Sequence, residues 1–256
     1  MLRGLVGSSE EWRVTLREAG IEAVIFDWGG TLSTWATSVS TKSLWGPAAE
    51  VLAPHAEQGA EEITQLLGAV EAEFWDRTEH EHPHAGALAG IVVEAHRRLG
   101  AGAPSSALEA AAEAYLNAWT PHIEHDAEAA PTLEALRARG LRTAMLSNTH
   151  WPRRFHERFL RRDGLDGLLD ARLYTCELDY MKPHPSAFKA ALAAIGLRDP
   201  SMALFVGDRP WDDIFGAQRA GLHTAQRTNP LVPAHDVRPD IEIERLPEIL
   251  DHLGIA

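Results

Sequence analysis

Cysteine is almost absent from this chain of 256 residues, in which Cys176 is the only one. A single cysteine excludes an intrachain disulfide framework and a zinc site built from several thiolates. Lysine is nearly as scarce and occurs only at positions 42, 182 and 189, although lysine and arginine together number 24. Each lysine therefore merits inspection for a specific role.

Long apolar runs are also missing, because the longest, residues 85–93, is mostly alanine and glycine and far too short to span a membrane. The N-terminal residues contain no apolar core typical of a signal peptide, so we expect a cytoplasmic protein without a membrane partner. The formal net charge of −13 argues against a broadly basic nucleic-acid surface. It does not exclude a small anionic substrate held by a local positive group or a metal. The sequence leaves the choice between monomer and homodimer open.

The organisation of the chain indicates an α/β protein. A short apolar run, Glu22 to Asp27, ends at an acidic residue before two glycines and predicts a buried strand. From about residue 127 onward, helical and strand-like segments alternate, with strands predicted at 142–147, at 202–206 and near 224. This alternation predicts a Rossmann-like parallel sheet that presents ligands at the carboxyl ends of its strands.

The segment between the first and second predicted strands has a different character. It contains helical periodicity at residues 63–74, 91–99 and 106–119 and no convincing strand. We therefore predict an N-terminal extension over 1–20, a discontinuous core over 21–33 and 127–256, and an all-helical cap domain over 34–126.

Four short segments follow predicted strands and carry the polar residues that matter. They are residues 26–32 (FDWGGTL), 146–149 (LSNT), 181–185 (MKPHP) and 206–213 (VGDRPWDD). Asp27, at a strand end beside glycines, is a carboxylate that can attack an electrophile. Ser147 and Thr149 precede a predicted helix, whose N–H groups favour an anion. Lys182 supplies a positive charge suited to a phosphoryl oxygen or to the nucleophile.

The fourth segment indicates a metal site. Asp208, Asp212 and Asp213 would repel one another unless a hard cation such as Mg²⁺ lay between them. A nucleophile, an anion cradle, a lysine and a Mg²⁺ site together describe phosphoryl transfer.

In this order and spacing, the four segments resemble the haloacid dehalogenase-like (HAD) hydrolase superfamily, and the long segment between Asp27 and Ser147 resembles its subclass with a helical cap. The resemblance implies that Asp27 is a nucleophile forming an aspartyl-phosphate, and that Lys182 steadies it. It also implies that Ser147, Asn148 and Thr31 lie against the phosphoryl group.

The same resemblance implies a set of metal ligands. Mg²⁺ would be held by Asp27, the backbone carbonyl of Gly29, Asp208 and Asp213, with Asp212 the less favoured alternative to Asp213. The chain would then be a Mg²⁺-dependent phosphatase acting on a small phosphorylated metabolite, with its specificity set by the cap.

Gly29 departs from the family pattern. Family phosphatases usually carry a second aspartate here, which acts as general acid and base and is typically worth ~10² to 10⁴ in rate. Three outcomes stay open. The substrate has a leaving group that needs no proton, such as an acyl phosphate; another residue, such as His184 or a cap histidine, supplies the proton; or the chain is a weak or non-catalytic protein that binds a phosphorylated ligand or a partner.

Two sibling chemistries are disfavoured by particular residues. Phosphonoacetaldehyde hydrolases also replace the second aspartate, but they need a Schiff-base lysine in the cap, for which Lys42 lies too early, and Lys182 stands where they tend to carry arginine. Haloacid dehalogenases need no leaving-group acid, but they lack a carboxylate at the position of Asp208.

Two features of the cap segment carry separate hypotheses. The run Glu79 to His84, with His80, His82 and His84, could bind a transition metal, but a solvated loop is the favoured interpretation. Trp35 follows the first motif closely, in the flap that opens and closes the site in this family. We predict that it contacts substrate or shields the site from water.

Overall fold

A computed structural model of the protein describes residues 16–34, 36, 39–80 and 82–255. Most of the predicted N-terminal extension, and Trp35 with its predicted substrate contact, lie outside the described residues.

Six parallel strands form one sheet in the order β3-β2-β1-β4-β5-β6. The strands are β1 (Ala23–Phe26), β2 (Arg142–Ser147), β3 (Ala171–Tyr174), β4 (Ala203–Gly207), β5 (His223–Arg227) and β6 (Ile241–Ile243). The predicted α/β class with a Rossmann-like parallel sheet is confirmed. β1 lies at the centre of the sheet, with β2 on one side and β4 on the other.

The central strand is buried on both faces, as its uninterrupted apolar sequence requires in a parallel sheet. Ala23 and Ile25 belong to one hydrophobic cluster. Val24 and Phe26 point the other way, into a larger cluster that continues into the helical segment after β1. The sheet is therefore the middle layer between two cores.

Nine α-helices accompany the sheet in the described part of the chain. They are α1 (Thr41–Leu52), α2 (Ala60–Trp75), α3 (Leu88–Leu99), α4 (Ser105–Trp119), α5 (Ala129–Ala138), α6 (Arg153–Arg162), α7 (Pro185–Ala194), α8 (Gly216–Arg219) and α9 (Glu248–Leu253). Helices α1 to α4 lie between β1 and β2 in the chain, and α1 packs against both α2 and α4. The boundaries of a separate cap domain stay a prediction.

Local signals explain where several of these helices begin and end. Ser40 caps α1, because its hydroxyl accepts a hydrogen bond from the Ser43 N–H at 3.1 Å while the Ser43 hydroxyl accepts one from the Ser40 N–H at 2.9 Å. Helix α3 ends at Gly100, whose φ of 64° is in the left-handed region that glycine adopts readily.

Hydrogen bonds tie the α1–α4 segment to the carboxyl edge of the sheet. The Trp211 indole donates to the Thr78 carbonyl at 2.7 Å, and the Leu88 N–H donates to the His150 carbonyl at 2.7 Å. These bonds join residues far apart in the chain, so the helical segment covers the edge where ligands bind in such sheets.

The structure differs from the sequence-based expectation at two strands and one helix. β3 and β6 were not expected, because they have only four and three residues and lie at the sheet edges. The helix expected over 213–220 is a π-helical turn, Pro210–Phe215, followed by the short α8. No helix within the described residues has the length and apolar character of a membrane span, and a cytoplasmic location stays a prediction.

Candidate active site

The carboxyl edge of the sheet brings three of the predicted site residues together. Asp27 directly follows β1, Ser147 ends β2 and Asp208 directly follows β4. Because these three strands are neighbours and parallel, their ends meet at one edge. Residues that are far apart in the chain thereby share one site.

Lys182 links two of the carboxylates. Its Nζ lies 2.6 Å from Asp27 Oδ1 and 2.6 Å from Asp213 Oδ1, and its side chain is only 1% exposed. Burial alone would lower the pKa of Lys182, but the carboxylates of Asp213 and Asp27 overcome this and raise it above its usual value. The lysine is therefore a fixed positive charge.

Asn148 positions the backbone of Lys182. The Lys182 N–H donates to Asn148 Oδ1 at 2.8 Å, and Asn148 Nδ2 donates to the Lys182 carbonyl at 3.0 Å. Both polar ends of the amide are thus engaged with one residue. This double contact fixes the loop that carries the lysine.

Three buried carboxylates face one another at this edge. Oxygen atoms of Asp27, Asp208 and Asp213 all lie within 4.8 Å of one another. Burial raises the pKa of Asp27 to about 7 against the attraction of Lys182, and repulsion from Asp213 and Asp208 adds to the rise. Three carboxylates and one lysine leave an excess of negative charge. This group could hold a metal ion.

Asp213, rather than its neighbour Asp212, joins this group. Asp213 Oδ2 accepts a hydrogen bond from the Arg209 N–H at 2.9 Å, which turns its side chain back toward β4. A Cβ atom on Gly207 would lie 2.4 Å from Asp213 Cγ, so only glycine at this position admits the carboxylate. Asp212 lies outside the group, with its carboxylate 3.9 Å from Arg209.

A cavity of about 430 Å³ adjoins Asp27. Its wall includes the predicted residues Asp27, Gly29, Ser147, Asn148 and Lys182, together with Arg209. The remaining wall is largely aromatic and comes from the loop after β1, the helical segment, the β2–α6 loop and α6: Trp28, Glu71, Trp75, Tyr115, Trp119, Thr149, His150, Trp151 and His156. The carboxylates therefore lie at one part of a cavity that can enclose a small molecule.

The comparison with protein families supports the resemblance noted from the motifs. The family model described as haloacid dehalogenase-like hydrolase matches residues 21–221, which is most of the chain and includes every residue of the carboxylate group and Lys182. The chain belongs to the haloacid dehalogenase-like hydrolases. The match covers the helical segment and strands β1 to β4, and it ends before β5.

Individual relatives agree with this membership. A protein from Methanopyrus kandleri named glyceraldehyde 3-phosphate phosphatase is 31% identical over 164 residues, which cover 60% of this chain and 67% of that protein. A protein of the same name from Pyrococcus furiosus is 32% identical over 111 residues, covering 43% of this chain and 45% of that protein. The matches thus span from about half to two thirds of these relatives.

Solved structures share the fold over nearly the whole chain. A 2-haloacid dehalogenase from Pseudomonas syringae pv. Tomato DC3000 superposes with a TM-score of 0.65 and 25% identity, covering 91% of this chain and 98% of the other. The likeness extends over both the sheet and the helical segment.

Gly29 lies in the cavity wall, where most HAD phosphatases carry their second aspartate. Apart from Gly29 and its two chain neighbours, no residue has a heavy atom within 4 Å of the point where a Cβ would stand, and the φ of Gly29 is outside the left-handed region. The space for a side chain is therefore present. Sterically, the site would admit a side chain at this position.

The histidines suggested as replacement proton donors, His184 and those of the cap run, lie outside the cavity wall. The His184 ring stacks on Tyr180 at 4.1 Å between centroids, and its Nδ1 lies 2.7 Å from the Ser186 hydroxyl. His82 lies beside His184, and His84 stacks on Tyr180. None of these three rings, nor His80, is among the described residues that line the cavity. The described histidines of the run and His184 therefore do not line this cavity.

The predicted phosphate ligands have different surroundings. The Ser147 hydroxyl lies at the long distance of 3.5 Å from the Asn148 carbonyl oxygen and borders the cavity beside Asp27. Thr31 is fully buried, and its carbonyl accepts a hydrogen bond from Arg227 Nη1 at 2.7 Å. Their roles toward a phosphoryl group, and that of Asn148, stay predictions.

Sequence reasoning missed the aromatic part of the wall. Glu71 and Trp75 on α2 and Tyr115 and Trp119 on α4 are separated by 40 or more positions and reach the site only through helix packing. Helical periodicity predicted these helices but not which face borders the cavity. Sequence analysis could have identified His150 as a wall residue, because it directly follows the second motif.

Proposed function

We propose that this protein is a Mg²⁺-dependent phosphatase that releases phosphate from a small metabolite through an aspartyl-phosphate on Asp27. The observation that carries the proposal is the buried group of three carboxylates around Lys182 beside an enclosing cavity. The names of the two archaeal relatives support a small phosphorylated substrate.

The donor set of the carboxylate group suits Mg²⁺. Asp27, Asp208 and Asp213 offer oxygen ligands, which hard cations prefer, and their mutual repulsion is relieved by a divalent ion. The Gly29 carbonyl is the further ligand suggested by the family. A bound Mg²⁺ would supply charge stabilisation for the phosphoryl oxygens.

Catalysis by the chain's own residues follows in two displacements. A carboxylate oxygen of Asp27 attacks the phosphorus atom, the bond from phosphorus to the leaving oxygen breaks, and the electron pair departs with that oxygen. Water then attacks the same phosphorus, the bond to Asp27 breaks, and inorganic phosphate leaves as the carboxylate is regenerated. Lys182 holds Asp27 in place and offsets negative charge during both steps.

Gly29 determines which phosphate esters are hydrolysed rapidly, because it affects how easily the leaving group departs. Without a proton donor at this position, the departing oxygen leaves as an anion, which favours acyl and aryl phosphates over alkyl phosphates. The same absence slows the activation of water in the second step. The aspartyl-phosphate is therefore expected to persist longer than in an enzyme that carries the second aspartate.

The experiment that tests this proposal is phosphate release with and without Mg²⁺ from acetyl phosphate, p-nitrophenyl phosphate and a sugar phosphate. We expect Mg²⁺-dependent turnover of the first two and much slower turnover of the sugar phosphate. Equal turnover of all three would mean that another residue supplies the proton. No turnover of any would favour the alternative of a protein that binds a phosphorylated ligand without hydrolysing it.

A further inference from the structure

We propose that the cap side of the cavity binds an alkylated ammonium group, so that the substrate is a phosphate ester whose other end is positively charged. This inference rests on the proposed phosphatase function, because it names the class of molecule that the same cavity accepts. Its basis is the combination of aromatic walls and a buried carboxylate.

Several aromatic rings of the cavity wall are steeply inclined to one another. Trp119 and Trp151 have centroids 5.0 Å apart and planes inclined at 57°. Trp28 and Trp151 are 6.0 Å apart at 76°, and Trp75 and His150 are 5.3 Å apart at 58°. Inclined rings that border one cavity are the arrangement that aromatic cages use for methylated ammonium ions.

These walls present carbon rather than polar edges. Nε1 of Trp119 and Nε1 of Trp151 are both shielded from solvent, so neither indole N–H faces the open cavity. Trp28 Nε1 donates to His125 Nε2 at 3.0 Å, which also turns its polar edge away. The surface left to a ligand is therefore mainly ring carbon, whose π faces attract cations.

Glu71 adds a negative charge to this wall. Its Oε1 accepts a hydrogen bond from the Tyr115 hydroxyl at 2.5 Å, and its Oε2 accepts one from Trp45 Nε1 at 2.6 Å. Neither donor carries a charge. The carboxylate is thus held by neutral groups only, in a wall that borders the cavity.

No cation offsets this carboxylate among the described residues. The only basic side chain within 4 Å is His150, with Nε2 3.4 Å from Glu71 Oε1. Burial lowers the pKa of His150 to about 3, so its ring is neutral at physiological pH. Burial also raises the pKa of Glu71, against hydrogen bonds from Tyr115, Trp45 and Trp75 that lower it. A cationic ligand would restore the charge balance.

The two parts of the cavity therefore have opposite preferences. Lys182 and Arg209 lie in the wall with Asp27, where the phosphoryl group would bind. The helical segment contributes Glu71, Trp75, Tyr115 and Trp119, and the sheet side adds the rings of Trp28, His150 and Trp151. A neutral apolar group would pack against the rings but would leave Glu71 without a counter-ion. A molecule with a phosphate at one end and an alkylated ammonium at the other satisfies both parts.

A matched pair of inhibitors tests the inference. Phosphocholine and 3,3-dimethylbutyl phosphate have the same shape and differ in one positive charge, and both have alkyl leaving groups that Gly29 disfavours equally. We expect phosphocholine to inhibit p-nitrophenyl phosphate hydrolysis with a Ki about tenfold lower or better. Equal Ki values, or tighter inhibition by the neutral compound, would overturn the inference.

Substitutions show which residues cause the preference for phosphocholine over the neutral compound. Glu71→Gln should remove most of the difference between the two Ki values, whereas Glu73→Gln, an exposed glutamate on the same helix, should leave the difference intact. Trp75→Leu provides a second variant, since Trp75 is only partly buried and its loss should also reduce the preference. A preference that survives both Glu71→Gln and Trp75→Leu would place the cation elsewhere and refute the assignment.

A binding measurement separates this inference from the proposed activity. Tryptophan fluorescence is titrated with choline and with 3,3-dimethylbutan-1-ol, neither of which carries a phosphate. Preference for choline in a protein without phosphatase turnover would reject the proposed function and retain the cation site. Turnover of p-nitrophenyl phosphate with no preference in either assay would retain the function and reject the cation site.

Discussion

Replacing Lys182 with methionine should destabilise the protein strongly, because two buried carboxylates lose their common partner. At 2.6 Å from each of Asp27 and Asp213, the ammonium gains about 6 kcal/mol per contact at an effective dielectric constant of about 20. Removing the ammonium from water costs several kcal/mol and offsets much of this gain. Measured losses for breaking such buried pairs are about 3–5 kcal/mol, which is the value we expect for Lys182→Met.

The measurement is guanidinium unfolding followed by tryptophan fluorescence, above pH 7 and in the presence of a chelator. Lys189→Met serves as the matched control, because Lys189 lies exposed on α7 and should change the free energy of unfolding by less than about 0.5 kcal/mol. The double variant Lys182→Met, Asp27→Asn should recover part of the loss, since it removes one of the two unpaired carboxylates.

A loss below about 1 kcal/mol for Lys182→Met would refute the reasoning. It would mean that the carboxylates are not held ionised against the lysine. The electrostatic account of the site would then fail even if the enzyme were active.

Three further predictions concern the same site. Gly29→Asp should raise kcat on alkyl phosphates by ~10² to 10⁴, with little change on acetyl phosphate, because the new carboxyl group can protonate the leaving oxygen and the cavity has room for it. No gain in phosphate release would mean that another acid already acts. The pKa of Asp27 is raised to about 7, so the folded metal-free protein keeps a proton that the unfolded chain releases, and its stability should fall as pH rises from about 4 to about 7. The rise in Tm caused by Mg²⁺ should therefore be larger above pH 7 than near pH 5. A rise in Tm that does not depend on pH would contradict this assignment. Gly207→Ala should weaken Mg²⁺ binding measured by calorimetry, because the added methyl group would displace Asp213. The control Gly167→Ala, with open space around the added methyl group, should leave the affinity unchanged. Equal Mg²⁺ affinities of the two variants would argue against Asp213 as a ligand.

The sequence predicted which residues meet at the sheet edge because the information for this is local. Asp27, Ser147 and Asp208 each stand at the end of an apolar strand, so strand prediction and sheet geometry together bring them to one edge. Lys182 was found from its motif. The short strands β3 and β6 were missed because runs of three or four residues carry too little periodicity to identify.

The cap side could not be predicted because its information is not local. Glu71 and Tyr115 meet only when α1 packs against both α2 and α4, and each looks like an ordinary helical residue in the sequence. The geometry that separates Asp212 from Asp213, the π-helical turn and the close approach at Gly207, is visible only in the structure. Spacing from Asp208 favoured Asp213, and the structure brings Asp213 into the carboxylate group.

The central claim is that Asp27 is the residue that takes the phosphoryl group. The most direct test is intact-protein mass spectrometry during turnover of acetyl phosphate with Mg²⁺, comparing the wild type with Asp27→Asn and with Asp212→Asn, a buried neighbouring carboxylate outside the group. We predict a phosphoryl adduct and phosphate release in the wild type and in Asp212→Asn, and neither in Asp27→Asn. Phosphate release by Asp27→Asn at a rate comparable to the wild type would contradict the account.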